Sequence, residues 1–326
     1  MRRALFDPER GYYSRNIRTV GARGDFATAA TLSPLLGAAI ARWLRQELVD
    51  RPVRSIIEIG GGDGSLMNTV RRSLGWWRRS RLRWHMVETS PVLRAQQQVK
   101  LGESITWHTD LEAALTASGG QALVYHNELL DAFPCDRLQW DATSRCWKEI
   151  WLTNTSPPSE ELRPLTPTNH DPPPFSALRE WTSSSPPPHP SQRIELHATV
   201  RDWLHGWAPH WKSGAMLTID YGDLFPHLYH RRPNGTLRGY LMQQRTEGPE
   251  IYLNPGRQDL TADINFTDYR QWARDLEWIE HRFGTLRDFL ATHAADRTAR
   301  ATGPDTQLLA PGSAADAFRF TIHRPA

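Results

Sequence analysis

The sequence predicts an α/β fold, a Rossmann-like and mostly parallel sheet with helices on both faces and an inserted subdomain. Short apolar runs alternate with helically spaced segments through the first half of the chain, the signature of a parallel sheet covered on both sides. The first of these runs ends in a glycine-rich turn, and acidic residues stand where the next strands end, which is where ligands bind open α/β sheets. With 326 residues, 39% hydrophobic and 23% charged, the chain suffices for one large domain plus an insertion.

The same composition removes several classes of protein. The longest apolar stretches run about six to eight residues, against the roughly 20 that a membrane span needs. No charged, apolar, small-residue cleavage pattern opens the chain, so secretion is not expected. Cys135 and Cys146 are too few for a disulfide framework and read as reduced thiols of a cytoplasmic protein. A net charge of +3 is a weak field for gathering nucleic acid. The 13 histidines are scattered, with no His-Glu-x-x-His and no Cys/His grid, so no metal is expected. Neither Gly-x-Ser-x-Gly nor a P-loop occurs, which sets aside the common hydrolase and NTPase readings.

Taken in order, Ser55–Gly60 reads as a buried strand closing on glycines, followed by a helix over Ser65–Leu74. A second strand fits Leu82–Glu88 with a helix over Pro91–Val99; a third fits Ile105–Thr109 with a helix at Leu111–Ala117; a fourth fits Ala122–Glu128. Arg137–Asp141 and Cys146–Thr153 form an antiparallel hairpin about the turn Asp141–Ser144. Eleven of the 24 prolines lie between Pro157 and Pro190, so Thr153–Ser191 reads as an exposed, mobile loop that sustains neither helix nor ladder. Regular structure returns with a helix over Ala198–Trp211 and a strand over Ala215–Tyr221. Gly222–Asn265 reads as irregular, ahead of a helix at Thr267–Leu276. Two strands, Trp278–Phe283 and Phe318–His323, close the sheet with a helix over Leu286–His293 between them.

The segment Glu58–Gly64, EIGGGDG, carries the most chemistry. Glycines at 60, 62 and 64 let a ligand approach the backbone and turn the chain sharply into a helix. A dinucleotide fingerprint would need glycine or alanine at 65, where Ser65 stands. The spacing suits S-adenosylmethionine (SAM), which has no pyrophosphate to seat on a helix N-terminus; its amino group needs a nearby carboxylate, and Glu58 or Asp63 can serve. Glu88, at the end of the second strand, is placed to accept both ribose hydroxyls. Asp110 and Leu111, after the third, suit an adenine amino group and ring face, although Asp110 can equally cap the helix that follows. The fourth strand runs into HNELLDAFP, residues 126–134, whose Asn127, Glu128 and Asp131 fall where the methyl sulfonium would sit. Glu128 and Asp131, three apart, share one face of a helical turn and can bind a cationic or proton-bearing acceptor. Asn127 or Asp131 can instead simply cap that turn, and His126 reads as a packed strand residue.

An ordered set of motifs resembles the MidA-type SAM-dependent methyltransferases, a family that includes the mitochondrial complex I assembly methyltransferase. The set comprises GYYS (Gly11–Ser14), GDFATA (Gly24–Ala29), EIGGGDGSL (Glu58–Leu66), VETSP (Val87–Pro91) and NELLDAFP (Asn127–Pro134). It continues through IDYGD (Ile219–Asp223), GTLRGY (Gly235–Tyr240), PGRQDLTADINF (Pro255–Phe266) and FRFTIH (Phe318–His323). The resemblance implies a class I methyltransferase sheet, a substrate-covering insertion and SAM as cofactor. It implies that Gly24, Asp25, Phe26 and Thr28 fold over a cofactor held by Glu58, Gly60, Gly61, Gly62, Gly64, Glu88, Thr89, Asp110, Leu111 and Asn127. It also implies that Glu128, Asp131 and Asn127 act on the acceptor, with Tyr221 and Asp220 lining its side. Protein arginine N-methylation is the leading expectation; a small-molecule methyltransferase or a non-catalytic assembly factor with this fold are the alternatives, and a nicotinamide-dependent dehydrogenase is disfavoured by Ser65. The expected partners are a protein substrate, with a respiratory-complex subunit as one candidate, and a second copy of the chain.

On this reading the units are a cover segment and the first part of the SAM-binding domain (1–136), an inserted hairpin and Pro-rich loop (137–193), a return to the domain (194–222), a second substrate-side insertion (223–266) and the domain's C-terminal part (267–326). Some positions depart from the family's usual pattern: Gly61 and Asp63 replace a proline and an arginine, Asn68 an acid, and Asp136 and Gln243 histidines. With Met1 close to GYYS, neither a mitochondrial presequence nor a long preceding helix is expected. Asp259, Thr261 and Asp263 read as loop-stitching residues. Arg71–Trp84 packs six arginines and three tryptophans into 14 residues; solvated arginines and half-buried tryptophans are the favoured reading, with an acidic protein surface next and nucleic acid last.

Overall fold

The strands that build the centre are apolar on both faces, so they form only where helices cover both sides. A computed structural model describes residues 1–17, 33–49, 51–165, 188–242 and 244–326. Strands β1 (Ser55–Ile59), β2 (Arg83–Val87), β3 (Ile105–His108) and β4 (Gln121–Asn127) alternate with helices Ser65–Leu74, Pro91–Leu101 and Leu111–Ala117, close to the expected bounds. β5 (Asp136–Asp141) and β6 (Cys146–Leu152) are the expected hairpin; β7 (Glu160–Pro164) and β8 (Arg193–Leu196) flank them in a four-stranded antiparallel sheet, order β7-β6-β5-β8. After the helix Ala198–Trp207 come β9 (Ser213–Asp223), then β10 (Arg238–Leu241), β11 (Gln244–Thr246), β12 (Asp259–Thr261) and β13 (Ile264–Asn265). The helix Phe266–Asp275, β14 (Ile279–Thr285), the helix Leu286–His293 and β15 (Phe318–Arg324) complete the chain.

The main sheet runs β14-β15-β9-β4-β1-β2-β3, with β13 paired to the end of β9. β3, β2, β1, β4 and β9 are mutually parallel; β15 is antiparallel to both β9 and β14. A reversed strand at that place is the class I methyltransferase arrangement that the motifs imply. Strand order reverses at β1, which has β2 on one side and β4 on the other, so the crevice for a ligand opens beyond the ends of β1 and β4.

One face of the sheet is covered by a helix absent from the sequence expectations, Pro34–Glu47. Ser33 caps it by accepting the Leu35 N–H at 3.0 Å, and Leu35, Leu36, Ile40, Trp43 and Leu44 are buried against Met67 and Phe289 in one cluster. Each such side chain contributes about 1.5–3 kcal/mol of burial, so packing rather than propensity holds this helix. The other face is closed by aromatics of the helix Ala198–Trp207 and beyond: Trp278 lies 5.2 Å from both Trp207 and Trp211, ring centre to ring centre. His126 is wholly buried there, as expected, with Nε2 3.0 Å from the Thr218 hydroxyl.

Three expectations need correction. Gly222–Asn265 is not irregular: β10, β11 and β12 form a three-stranded antiparallel sheet. Its strands are three or four residues long, too short for an alternating pattern to register. Thr153–Ser191 is not loop throughout, because β7 pairs with β6; Pro164 falls at the strand end, where a missing N–H costs little. The rest of the Pro-rich stretch, 166–187, lies outside the described residues. Finally, of the three tryptophans in Arg71–Trp84 only Trp84 is buried, while Trp76 and Trp77 are mostly exposed.

The two insertions are tied together by hydrogen bonds onto carboxylates of the four-stranded sheet. Glu160 on β7 accepts from the Tyr252 hydroxyl at 2.7 Å and pairs with Arg137 and Arg193 at 3.0 and 2.6 Å. Glu195 on β8 accepts both the N–H and the hydroxyl of Thr236 at 2.9 Å. A short helix, Arg2–Phe6, does precede GYYS. Among the described residues no helix is long and apolar enough to cross a membrane, and no group of side chains could hold a metal ion.

Candidate active site

The cofactor half begins with backbone. Beyond β1 the chain turns through Gly60, Gly62 and Gly64 at φ of +64°, +54° and +80°, which side-chain-bearing residues adopt only under strain. A Cβ added to Gly60 would also lie 2.8 Å from Leu129 Cδ1, so this turn packs against the loop after β4. Asp63 also borders the cavity, but its carboxylate is engaged: it accepts the Ser65 N–H at 2.9 Å and hydroxyl at 2.8 Å and pairs with Lys100. Glu58 is the buried acid beneath the turn. It accepts from the Tyr125 hydroxyl at 2.9 Å and has its pKa pushed up to about 8, chiefly by burial.

Glu88 ends β2 in a prepared setting. It accepts the Ser90 N–H at 2.8 Å and the Gln97 side-chain amide at 2.9 Å, and the same Gln97 nitrogen donates to Gly62 O at 2.8 Å. Trp107 Nε1 donates to Gln97 Oε1 at 3.2 Å. Gln97 therefore locks Glu88 to the glycine turn, a link that sequence reading misses because the residue lies in the middle of a helix. Burial raises the Glu88 pKa against these hydrogen bonds. Asp110 caps the helix Leu111–Ala117 by accepting the Ala113 N–H at 2.8 Å, so one of its oxygens is committed to the alternative reading of that residue.

The acceptor half starts from an unusual bend. Glu128 sits at φ +53°, in the left-handed region, immediately after β4. That conformation costs roughly 1–2 kcal/mol for a side-chain-bearing residue, and the surroundings hold it. The Glu128 N–H donates to Ile219 O at 3.0 Å, and the Leu129 and Leu130 N–H groups donate to Asp220 Oδ2 at 3.1 and 2.7 Å. Asn127 Nδ2 donates to Glu128 Oε1 at 2.9 Å, whereas Asn127 Oδ1 is buried without a hydrogen-bond partner among the described residues. Asp131, in the 3-10 turn Leu130–Ala132, is buried; desolvation, with Asp220 and Asp259 nearby, holds its carboxyl well above the usual range against the pull of Arg238.

Both halves open into one cavity of about 1330 Å³. Glu58, Gly60, Gly61, Gly62, Glu88 and Thr89 line one end, with Asp110, Leu111 and Asn127 beside them; Glu128, Asp131 and Tyr221 line the other. Gly64 is not on the wall: it is the N-cap of the helix Ser65–Leu74 and packs near Leu101 and Gln97. Asp220 is a correction too. It is fully buried behind the loop and accepts three backbone N–H groups, from Leu129, Leu130 and Tyr221, so it shapes the site without facing the cavity. Gly24, Asp25, Phe26 and Thr28 lie outside the described residues.

The sequence did not point to several lining residues. Arg238 is held by Asp263, by Thr236 O at 3.1 Å and by the Tyr240 hydroxyl at 3.0 Å, with its guanidinium 5.3 Å from the Tyr221 ring centre. Asp259 accepts from the Tyr13 hydroxyl at 2.8 Å, and Ser90 Oγ donates to Tyr13 O at 2.6 Å. The GYYS segment thus closes over the cavity, bridging the second insertion to the strand end bearing Glu88. Asp259 and Thr261 face the cavity and Asp263 carries the arginine, so this trio does more than stitch a loop.

An open sheet with this order, a glycine turn after its first strand and a cavity beyond the strand ends large enough for a nucleoside and more defines a class I methyltransferase fold. Residues 35–283 match the family described as "Putative S-adenosyl-L-methionine-dependent methyltransferase", and the chain belongs to that family, the MidA-type group that its motifs resemble. Among similar curated proteins are two named protein arginine methyltransferase NDUFAF7, mitochondrial. The mouse protein is 24% identical, with 84% of this chain and 65% of the relative covered; the zebrafish protein is 28% identical, with 84% and 67% covered. The chain thus spans about two thirds of the length of these relatives. A methyl transferase candidate from Burkholderia thailandensis, crystallised with S-adenosyl-homocysteine, superposes with a TM-score of 0.83 at 23% identity, covering 99% of this chain and 86% of that one.

SAM is the cofactor of this family, and the residues present suit it. A buried carboxylate awaiting a cation (Glu58), an orphaned buried carbonyl oxygen (Asn127 Oδ1) and an acid at the end of β2 (Glu88) match an ammonium group and a ribose.

Proposed function

We propose that the chain is a SAM-dependent protein arginine N-methyltransferase. The observation that carries this reading is the acceptor half: Glu128, held in a left-handed bend, and buried Asp131 face one cavity beside Tyr221. The names of the NDUFAF7 relatives support it. When bound, SAM supplies an electrophilic methyl group. Glu58 and Asn127 would hold its amino group, Glu88 its ribose hydroxyls, and Thr89, Asp110 and Leu111 the adenine, with Gly24–Thr28 as cover.

The chain's own residues then have three tasks. A guanidinium stays protonated at ordinary pH and its nitrogens are poor nucleophiles. Glu128 and Asp131 would grip it by paired charged hydrogen bonds and aim one nitrogen at the methyl carbon. The arriving cation also favours the ionised form of Asp131, which burial otherwise disfavours. As the new bond forms, Glu128 accepts the proton that the nitrogen releases. Asn127 steadies Glu128, and Asp220 keeps the bend. Residues 137–193 and 223–266 serve as the substrate-covering insertions, and the free thiols Cys135 and Cys146 accord with a cytoplasmic setting.

The test is Glu128→Gln. Turnover on the protein acceptor falls by a factor on the order of 10²–10⁴, while the SAM dissociation constant changes less than about threefold. Labelled methyl from SAM appears on arginine in cell extract with the wild-type protein and not with the variant. Label on a small molecule or another residue would replace the arginine reading, and equal losses of binding and turnover would remove Glu128 from the acceptor role.

A further inference from the structure

The opposite edge of the sheet carries a surface that methyl transfer does not use. The helix Ser65–Leu74 ends at Gly75, whose φ of +81° throws the chain outward into the short helix Trp76–Arg79 before β2 begins. This turn lies at the strands' N-terminal ends, away from the cavity at their C-terminal ends. Trp76 and Trp77 are 61% and 70% exposed, with ring centres 4.8 Å apart and planes at 74°. Arg72, Arg78, Arg81 and Arg83 are exposed around them, and no acidic residue occurs from Ser65 to Val87. Arg71 and Trp84 of the same run turn inward instead: Arg71 sits 5.7 Å from the Trp84 ring centre and donates to Leu101 O at 3.2 Å. The chain thus sorts this run, burying one Trp–Arg pair and presenting another set to solvent.

A second feature adjoins it. Ser73, three residues before Trp76, lines a cleft of about 290 Å³ with Arg42, Arg45, Arg297 and His293; Asp296 is the one acid on its wall. Arg42 and Arg297 are exposed, while Arg45 donates to Ser73 O; three guanidinium groups against one carboxylate give the cleft a net positive charge that favours a phosphate-class anion.

We propose that this edge docks on an anionic lipid bilayer, with Trp76 and Trp77 at the headgroup level, lipid phosphate in the Arg42–Arg45–Arg297 cleft, and the flanking arginines on the surface charge. Indoles favour the membrane–water interface because one end is apolar and the other polar, and basic residues add attraction that salt weakens. The crossed rings favour a bilayer over nucleic acid: with planes at 74° the two indole faces cannot both stack on successive, near-parallel bases. Docked this way, the cavity mouth faces the aqueous side, where a protein acceptor can enter. The inference does not depend on arginine being the acceptor.

Flotation of the full chain with vesicles tests it. Vesicles of equal parts phosphatidylglycerol and phosphatidylcholine carry the protein upward, pure phosphatidylcholine vesicles do not, and raised salt releases it. Trp76→Ser with Trp77→Ser, and separately Arg72→Gln with Arg78→Gln and Arg81→Gln, each weaken binding about tenfold or more, while SAM titration stays unchanged and reports an intact fold. No flotation of the wild-type protein, or flotation that both variants retain, would overturn the proposal. Tighter binding to an oligouridine than to the anionic vesicles would reassign the surface to nucleic acid.

Discussion

The two ends of the cavity are built in different ways. At the cofactor end Glu58, the glycine turn, Glu88 and Asp110 each lie at or just beyond the end of a core strand, and backbone conformation does much of the shaping. At the acceptor end the walls come from five separated places: the bend at Glu128, Trp203 on a helix, Tyr221 near the end of β9, Arg238 and Tyr240 on β10, and Asp259 and Thr261 on β12. The first end is local to the sheet; the second exists only when the inserted sheets are docked. Cofactor binding and acceptor choice should therefore be separable by mutation.

The largest effect that tests this separation falls on the cofactor end. Glu88→Ala removes a buried, doubly hydrogen-bonded acid, and SAM affinity measured by calorimetry falls about 10- to 100-fold. An unchanged affinity would mean that the ribose lies elsewhere. Next comes pH. In the free protein Glu58 has a pKa raised from 4.5 to about 8 by burial, so its contribution to stability is full below pH 4.5 and is lost as pH rises toward 8. A bound ammonium group favours the ionised form, so SAM binding releases a proton, and affinity rises with pH by up to about tenfold per unit below the raised pKa. Titrations in buffers of different ionisation enthalpy detect that release in the wild type and not in Glu58→Gln.

A smaller change separates the ends from the other side. Arg238→Met removes the guanidinium between Asp263 and Tyr221 and raises the acceptor KM severalfold, with SAM affinity unaltered; a matching loss of SAM affinity would show that the two ends are coupled. Smallest is Asp110→Ala. If its main task is the helix cap seen at Ala113, stability in denaturant falls by about 1 kcal/mol and SAM affinity by less than threefold. A larger loss of affinity would restore the adenine contact as its principal role.

The same contrast explains what could be read in advance. Strands β1 to β4 and their helices announce themselves through local periodicity, and Glu58, Glu88, Asn127 and Glu128 are legible because each stands at a strand end. The helix Pro34–Glu47 has its buried residues spaced as a helix requires, yet it lies ahead of the glycine turn that organises the reading. β10 to β12 escaped because three-residue strands carry no period, and with them went Arg238 and Tyr240. Asp220 misled for another reason: strand-end position marks a residue as near the site, but only packing tells whether its carboxylate faces the ligand or the backbone behind it. The exposure of Trp76 and Trp77 depends on where Gly75 sends the chain, which composition does not encode.

The most direct measurement is calorimetric titration with SAM, S-adenosylhomocysteine and NAD, run on the wild type and on Glu128→Gln. The account predicts one-to-one micromolar binding of SAM and its product, nearly equal in both proteins, and no binding of NAD. Binding of NAD alone, or SAM binding that collapses in Glu128→Gln, would contradict a cofactor end that stands independently of the acceptor end.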